Sequence, residues 1–106
     1  LDRLHQVILE KLNSGNLSNN AIALQMCISE RHFIRRMKAL TGLPPQQYIR
    51  RYRLQLARQL LENGTYRTAK AAAVAVGYTN SSYFISQFEK EYGCKPMAVL
   101  RQFGWR

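Results

Sequence analysis

At 106 residues the chain is one ordinary domain, or two very small ones sharing an interface. Hydrophobic residues make up 46% and charged ones 21%, enough for a core and against global disorder; no apolar run approaches a membrane span, and no signal-peptide pattern opens the chain. Sixteen Lys and Arg against six Asp and Glu leave a formal charge of +10, which calls for a polyanionic partner, nucleic acid ahead of anionic membrane.

In chain order, Leu1, Leu4, Ile8 and Leu12 form one helical stripe, and Asn13 to Gly15 end it. Ser18 caps a second helix that runs to about Met26. Ser29 caps a third over 30–41, with Gly42 placed to close it. Pro44 and Pro45 open a long helix through Leu61, stopped by Asn63 and Gly64. Thr68 caps a fifth helix to Val76, followed by Gly77. A sixth runs from about Asn80 to Tyr92 and closes at Gly93, and Pro96 opens a last short one. No segment alternates as a strand would, so the expected fold is all-α with about seven helices.

The order of these signals repeats. Ser18 and Thr68 lie 50 positions apart, as do Ala23 and Ala73, Cys27 and Gly77, Ile28 and Tyr78, and Ser29 and Thr79. Beyond that turn the offset is 51: Phe33 and Phe84, Met37 and Phe88, Gly42 and Gly93, Pro45 and Pro96, Arg50 and Arg101. A cap, a short helix, a tight turn, a second helix, a glycine and a proline therefore occur twice, with one inserted residue. Two short helices joined this tightly, with a small residue four before the turn, describe a helix-turn-helix. Gly77 allows a left-handed backbone in the second turn. Cys27 holds that place in the first, so that turn either accepts modest strain or adopts another conformation.

Within the third helix, Phe33, Met37 and Leu40 recur at i, i+4 and i+7 and are expected in the core. Arg31, Ile34, Arg35 and Lys38 occupy the other side. From Arg31 to Arg58 there are eight Lys and Arg and no acid, although a solvated surface usually mixes signs. The same place in the second unit, NSSYFISQFEKEYG over 80–93, keeps the apolar skeleton without the arginines. The basic face of 30–42 is thus no requirement of folding.

These residues resemble the DNA-binding domain of the AraC/XylS family of bacterial transcription regulators. The resemblance is carried by AVAVGYTNSSYFISQFEKEYGCKP over 73–96 and by RLQLARQLL over 53–61, and covers roughly residues 10–100. It implies two helix-turn-helix subdomains, 1–44 and 63–106, joined by a linker helix over 45–62, with recognition helices entering successive major grooves. It places base reading on Arg31, Ile34 and Arg35 in the first unit. In the second, the matching places are Asn80, Ser81, Ser82, Ile85 and Ser86. Backbone contacts are expected from Ser18 and Thr68 at helix N-termini, and from His32, Arg36, Lys38, Arg50, Arg51 and Lys90. The family's pattern often has arginine where Ser86 stands and lysine where Glu89 stands. Ala69 and Ala72 replace larger apolar residues, so a thinner second core is expected, with the first unit dominating affinity and discrimination. Arg53 is expected to be structural and Tyr83 to pack.

The resemblance implies double-stranded DNA as partner and no cofactor. It further implies an N-terminal portion beyond this sequence, either a small-molecule sensor or a two-component receiver or kinase module. The start at Leu1 rather than methionine agrees with a fragment. RNA polymerase is a further partner such a regulator could meet, and its location would be cytoplasmic, at the nucleoid. Cys27 and Cys94 are far apart, and with His5 and His32 they complete no zinc set, so buried free thiols in a reducing compartment are expected and no metal site. Six scattered acids and two isolated histidines suggest no catalytic constellation, hence no enzyme. An RNA-binding or architectural module without base specificity is the alternative; a tandem helix-turn-helix disfavours it, because A-form RNA hides its major groove from a helix.

Overall fold

The computed structural model describes residues 2–11 and 17–105. Leu1, Leu12 and the expected stop over Asn13 to Gly15 lie outside the described residues. Seven helices occur among those described: α1 (Asp2–Lys11), α2 (Asn19–Gln25), α3 (Glu30–Thr41), α4 (Pro45–Glu62), α5 (Ala69–Ala75), α6 (Ser81–Tyr92) and α7 (Pro96–Gln102). The chain divides into two compact units, Leu1–Arg50 and Arg51–Arg106, and the division falls inside α4. Each unit takes one part of that helix into its own core.

In the first unit, α1 contributes Leu4, Val7 and Ile8 to the core, α2 contributes Ile22 and Ala23, and α3 contributes Phe33 and Met37; Ile49 of α4 joins them. Burial of such side chains is worth about 1.5–3 kcal/mol each before entropy is charged against it. His5 Nε2 and the Tyr48 hydroxyl lie 2.7 Å apart, tying α1 to α4. Gln46 donates to the Leu17 carbonyl and to Asn19 Oδ1, both at 2.8 Å, which holds the start of α4 to the approach of α2. Leu40 is not in this core; it is 58% exposed. It falls in the last turn of the twelve-residue α3, which packs on the seven-residue α2. The corresponding place in α6 holds Glu91, also exposed.

Ala69, Ala72 and Ala73 of α5 are buried, and Ala72 and Ala73 share one core cluster with the rings of Tyr78, Phe84 and Phe88. Tyr78, Phe84, Phe88 and Tyr92 form a tilted chain with successive centroids 5.2, 5.8 and 4.8 Å apart, distances at which edge-to-face attraction adds to burial. Leu54, Ala57 and Leu61 of α4 and Val99 and Leu100 of α7 close the cluster. Trp105, to which sequence reasoning gave no role, fastens the end of α4: its indole Nε1 donates to the Glu62 carbonyl at 2.7 Å. Gly64 has φ +74, and a Cβ there would lie 2.6 Å from the Trp105 ring, so the stop after α4 admits no side chain.

The sequence repeat is a structural one. Ser18 and Thr68 cap α2 and α5 by accepting from the N–H of Ala21 and Ala71. In both turns the N–H two beyond the cap donates five residues back, Ile28 to the Ala23 carbonyl at 3.0 Å and Tyr78 to that of Ala73 at 2.9 Å. Ser29 and Asn80 cap α3 and α6 through the N–H of His32 and Tyr83. The caps therefore match at an offset of 51, and the pairing of Ser29 with Thr79 is corrected: the inserted residue is Thr79, between Tyr78 and the cap.

Cys27 accepts the strain. Its φ is +61 where Gly77 has +89, and the residue is exposed rather than buried, because the left-handed position of a tight turn points its Cβ outward. Cys94 is half-buried against the second core. A left-handed conformation costs a residue with a Cβ about 1–2 kcal/mol, and glycine returns part of that as unfolded-state entropy. Cys27→Gly should therefore stabilise the first unit by roughly 0.5–1 kcal/mol, raising Tm by about 2–8 °C in a thermal melt. An unchanged or lower Tm would mean that the turn carries no strain.

Candidate nucleic-acid interface

Helix α3 sorts its side chains by charge. At about 100° per residue, Phe33 and Met37 share one side while Arg31, Ile34, Arg35 and Lys38 spread over an arc of about 100° on the other. The burial agrees: Phe33 and Met37 are covered, and the four on the opposite side are exposed, Ile34 at 38%. His32 and Arg36 project from the flank and are exposed as well. Among the described residues none of Arg31, Arg35, Arg36 or Lys38 is held in an ion pair. Guanidinium groups in this state keep all their donors for a partner, and a planar fork suits the O6 and N7 of guanine or a phosphate. Glu30 opens the helix next to its cap, where a carboxylate meets the positive end of the dipole.

Arg50 is exposed on α4 in the first unit. Arg51 falls in the second unit, where its Nε lies 3.2 Å from Glu91 Oε1. The side chain stays 55% exposed, so the pair is weak, but its charge is no longer unopposed. The proposed backbone contact at Arg51 is weakened accordingly.

Helix α6 presents a different surface. Ser82 and Ser86 are exposed and Ser81 is half-buried in the first turn. Asn80 spends its side-chain oxygen on the cap, which leaves its amide N–H₂ outward as a donor. Ile85 is half-buried against the core, which limits it as a base contact. Lys90 is exposed between the exposed Glu89 and Glu91. Tyr83 departs from the expected packing: it is 52% exposed, its ring resting 6.1 Å from that of Tyr78, which already fills the space beneath. The repeat sets Tyr83 opposite His32, and that offset of 51 is the signal that would have put it on the outer face.

Arg53 is structural, as expected. Its Nε donates to the Val76 carbonyl at 2.7 Å, and its guanidinium sits 4.2 Å from the centroid of Tyr78. Burial pushes the guanidinium below its ordinary range, and the phenols of Tyr78 and Tyr83 act in the other direction. It pins the turn between α5 and α6 to α4. No group of three or more His, Cys, Asp or Glu among the described residues is placed to hold a metal ion. No described helix is long and apolar enough to cross a membrane.

Comparison with known proteins agrees with this geometry. The family described as a helix-turn-helix domain matches residues 22–102. The MmsAB operon regulatory protein of Pseudomonas aeruginosa is 36% identical over 102 residues, which are 96% of this chain and 33% of that protein. A solved transcriptional regulator from Chromobacterium violaceum, of the AraC-type DNA-binding-domain proteins, superposes with a TM-score of 0.85 at 25% identity, over 98% of this chain and 91% of that one. The DNA-binding domain of AdpA, a global transcriptional factor solved in complex with a target DNA, gives 0.77 at 25% identity, over 94% and 91%. The chain belongs to the helix-turn-helix domain family, as a domain of the AraC type. It spans about a third of the length of the curated relatives it matches.

Proposed function

We propose that the chain binds double-stranded DNA with sequence preference and is the output domain of a longer bacterial transcription regulator, working in the cytoplasm at the nucleoid. The observation that carries this is α3: an unpaired, exposed cationic face set directly opposite a buried apolar one, on the second helix of a helix-turn-helix. In this reading α3 and α6 each enter a major groove. Arg31 and Arg35 bond base edges and Ile34 covers a thymine methyl. Asn80, Ser81, Ser82 and Ser86 make shorter, more adaptable contacts, with Ile85 at their margin.

Backbone phosphates are met by His32, Arg36, Lys38, Arg50 and Lys90, with Arg51 a lesser contributor, and by the helix starts at Ser18 and Thr68. Helix α4 joins a first subdomain over 1–44 to a second over 63–106. The first dominates, because the second lacks the arginines. The remaining portion of the protein, a sensor or receiver, and RNA polymerase are the other partners this role calls for. The chain has no catalytic part in it, and base reading by an inserted helix disfavours RNA, whose A-form major groove is too narrow and deep.

Binding to a duplex should weaken steeply with salt, because each neutralised phosphate releases counterion. A plot of log K against log salt is expected to have a slope corresponding to roughly 5–10 phosphates. Fluorescence anisotropy with a labelled duplex, titrated at several salt concentrations, measures it. A flat response would refute the electrostatic footing of the proposal.

A further inference from the structure

Helix α7 is the second unit's copy of the opening of α4. Gly42 and Gly93 end α3 and α6 with φ +74 and +73, and each N–H donates at 2.8 Å, to the carbonyls of Lys38 and Glu89. Three residues later Pro45 and Pro96 are both buried. Gln46 and Gln47 are exposed, as are Met97 and Ala98; Ile49 and Leu100 are buried; Arg50 and Arg101 are exposed. The two segments thus share the geometry of the closing glycine, the register and the burial of these positions, and Arg101 occupies in the second unit the place that Arg50 occupies in the first.

The substitutions between the units make that place unusual. Under the offset of 51, Arg31 becomes Ser82, Arg35 becomes Ser86, Arg36 becomes Gln87, Lys38 becomes Glu89 and Arg51 becomes Gln102. Of the cationic positions on α3 and the start of α4, Arg50 alone keeps a cation in its counterpart. If charge on these faces were only a solvated surface, retention would not single out the residue whose local geometry is also conserved between the units. Arg101 is exposed and is in no ion pair among the described residues.

We propose that Arg101 is a DNA-backbone contact of the second unit, the counterpart of Arg50, and that it supplies phosphate anchorage where α6 lacks the cations that α3 carries at the matching positions. This rests on the reading of the chain as a DNA-binding domain. A phosphate contact carries no sequence information, so its loss should act alike on every duplex.

The test is the salt titration above on the wild-type chain, Arg50→Ala, Arg101→Ala, Arg101→Gln and Arg101→Lys, each checked for native helicity and Tm, with a cognate duplex selected from a random pool and a scrambled one. Arg101→Ala and Arg101→Gln are expected to lower the salt slope by about 0.9 and to weaken binding several-fold on both duplexes, while Arg101→Lys retains the slope. A normal loss in Arg50→Ala with no change in Arg101→Ala or Arg101→Gln overturns the assignment and leaves DNA binding intact. So does a loss confined to the cognate duplex, which would make Arg101 a base contact. A wild-type chain that binds neither duplex overturns the DNA-binding reading and this inference with it.

Discussion

Truncating Phe84 to alanine is expected to cost the second unit about 3–5 kcal/mol, the upper range for a buried aromatic. The side chain is fully buried, and it is the middle of a chain of rings, 5.2 Å from Tyr78 and 5.8 Å from Phe88. Alanine would remove the ring's burial, open a cavity and break two edge-to-face contacts at once. The neighbours cannot close the gap easily, because Ala72 and Ala73 on the facing helix are already small and held by the turn. Urea unfolding followed by circular dichroism should show a lower midpoint for the transition of this unit. A cost under about 1 kcal/mol would mean that the aromatic chain repacks as a soft core. Because α6 is oriented through Phe84 and Phe88, the contacts proposed for Ser82 and Ser86 should weaken in the same variant.

Arg35→Ala is expected to cost about 1–3 kcal/mol of binding to a cognate duplex and to relax preference at one base pair. Arg35 is exposed on the cationic face of α3 and is bound to no carboxylate among the described residues, so its loss should leave stability nearly unchanged while removing a bidentate donor. Competition binding against duplexes varied one position at a time separates the two roles an arginine can have. A uniform loss over all sequences would make Arg35 a phosphate contact. Arg35→Lys should not rescue it fully, because an ammonium cannot offer the planar pair of donors.

The helices were legible because their signals are local. Caps at Ser18, Ser29 and Thr68, stops at Gly42 and Gly93, and the 3.6-residue period of α3 all act within a few residues, and each stands where it was read. The repeat was legible for the same reason, since two copies of one local pattern confirm each other. What failed depended on how neighbouring side chains share space. Leu40 has the period of a core residue, yet it stands 58% exposed. Tyr83 is an aromatic on an amphipathic helix, and its ring lies outward over that of Tyr78.

The same division runs through the candidate interface. That α3 carries opposed apolar and cationic faces is a matter of residue type and helical period, so sequence alone determined it for Arg31, Ile34, Arg35 and Lys38. Whether a given cation is free to meet a phosphate is a matter of who stands beside it, and this only the tertiary structure decided. Arg51, Arg53 and Arg58 lie within the same basic run as Arg35. In the fold Arg51 meets Glu91, Arg53 is bound to the Val76 carbonyl and the face of Tyr78, and Arg58 pairs with Glu62 over the ring of Tyr92. A chain of like charges in sequence becomes a set of distinct roles because electrostatic attraction acts through space over a few ångströms and takes no account of sequence order.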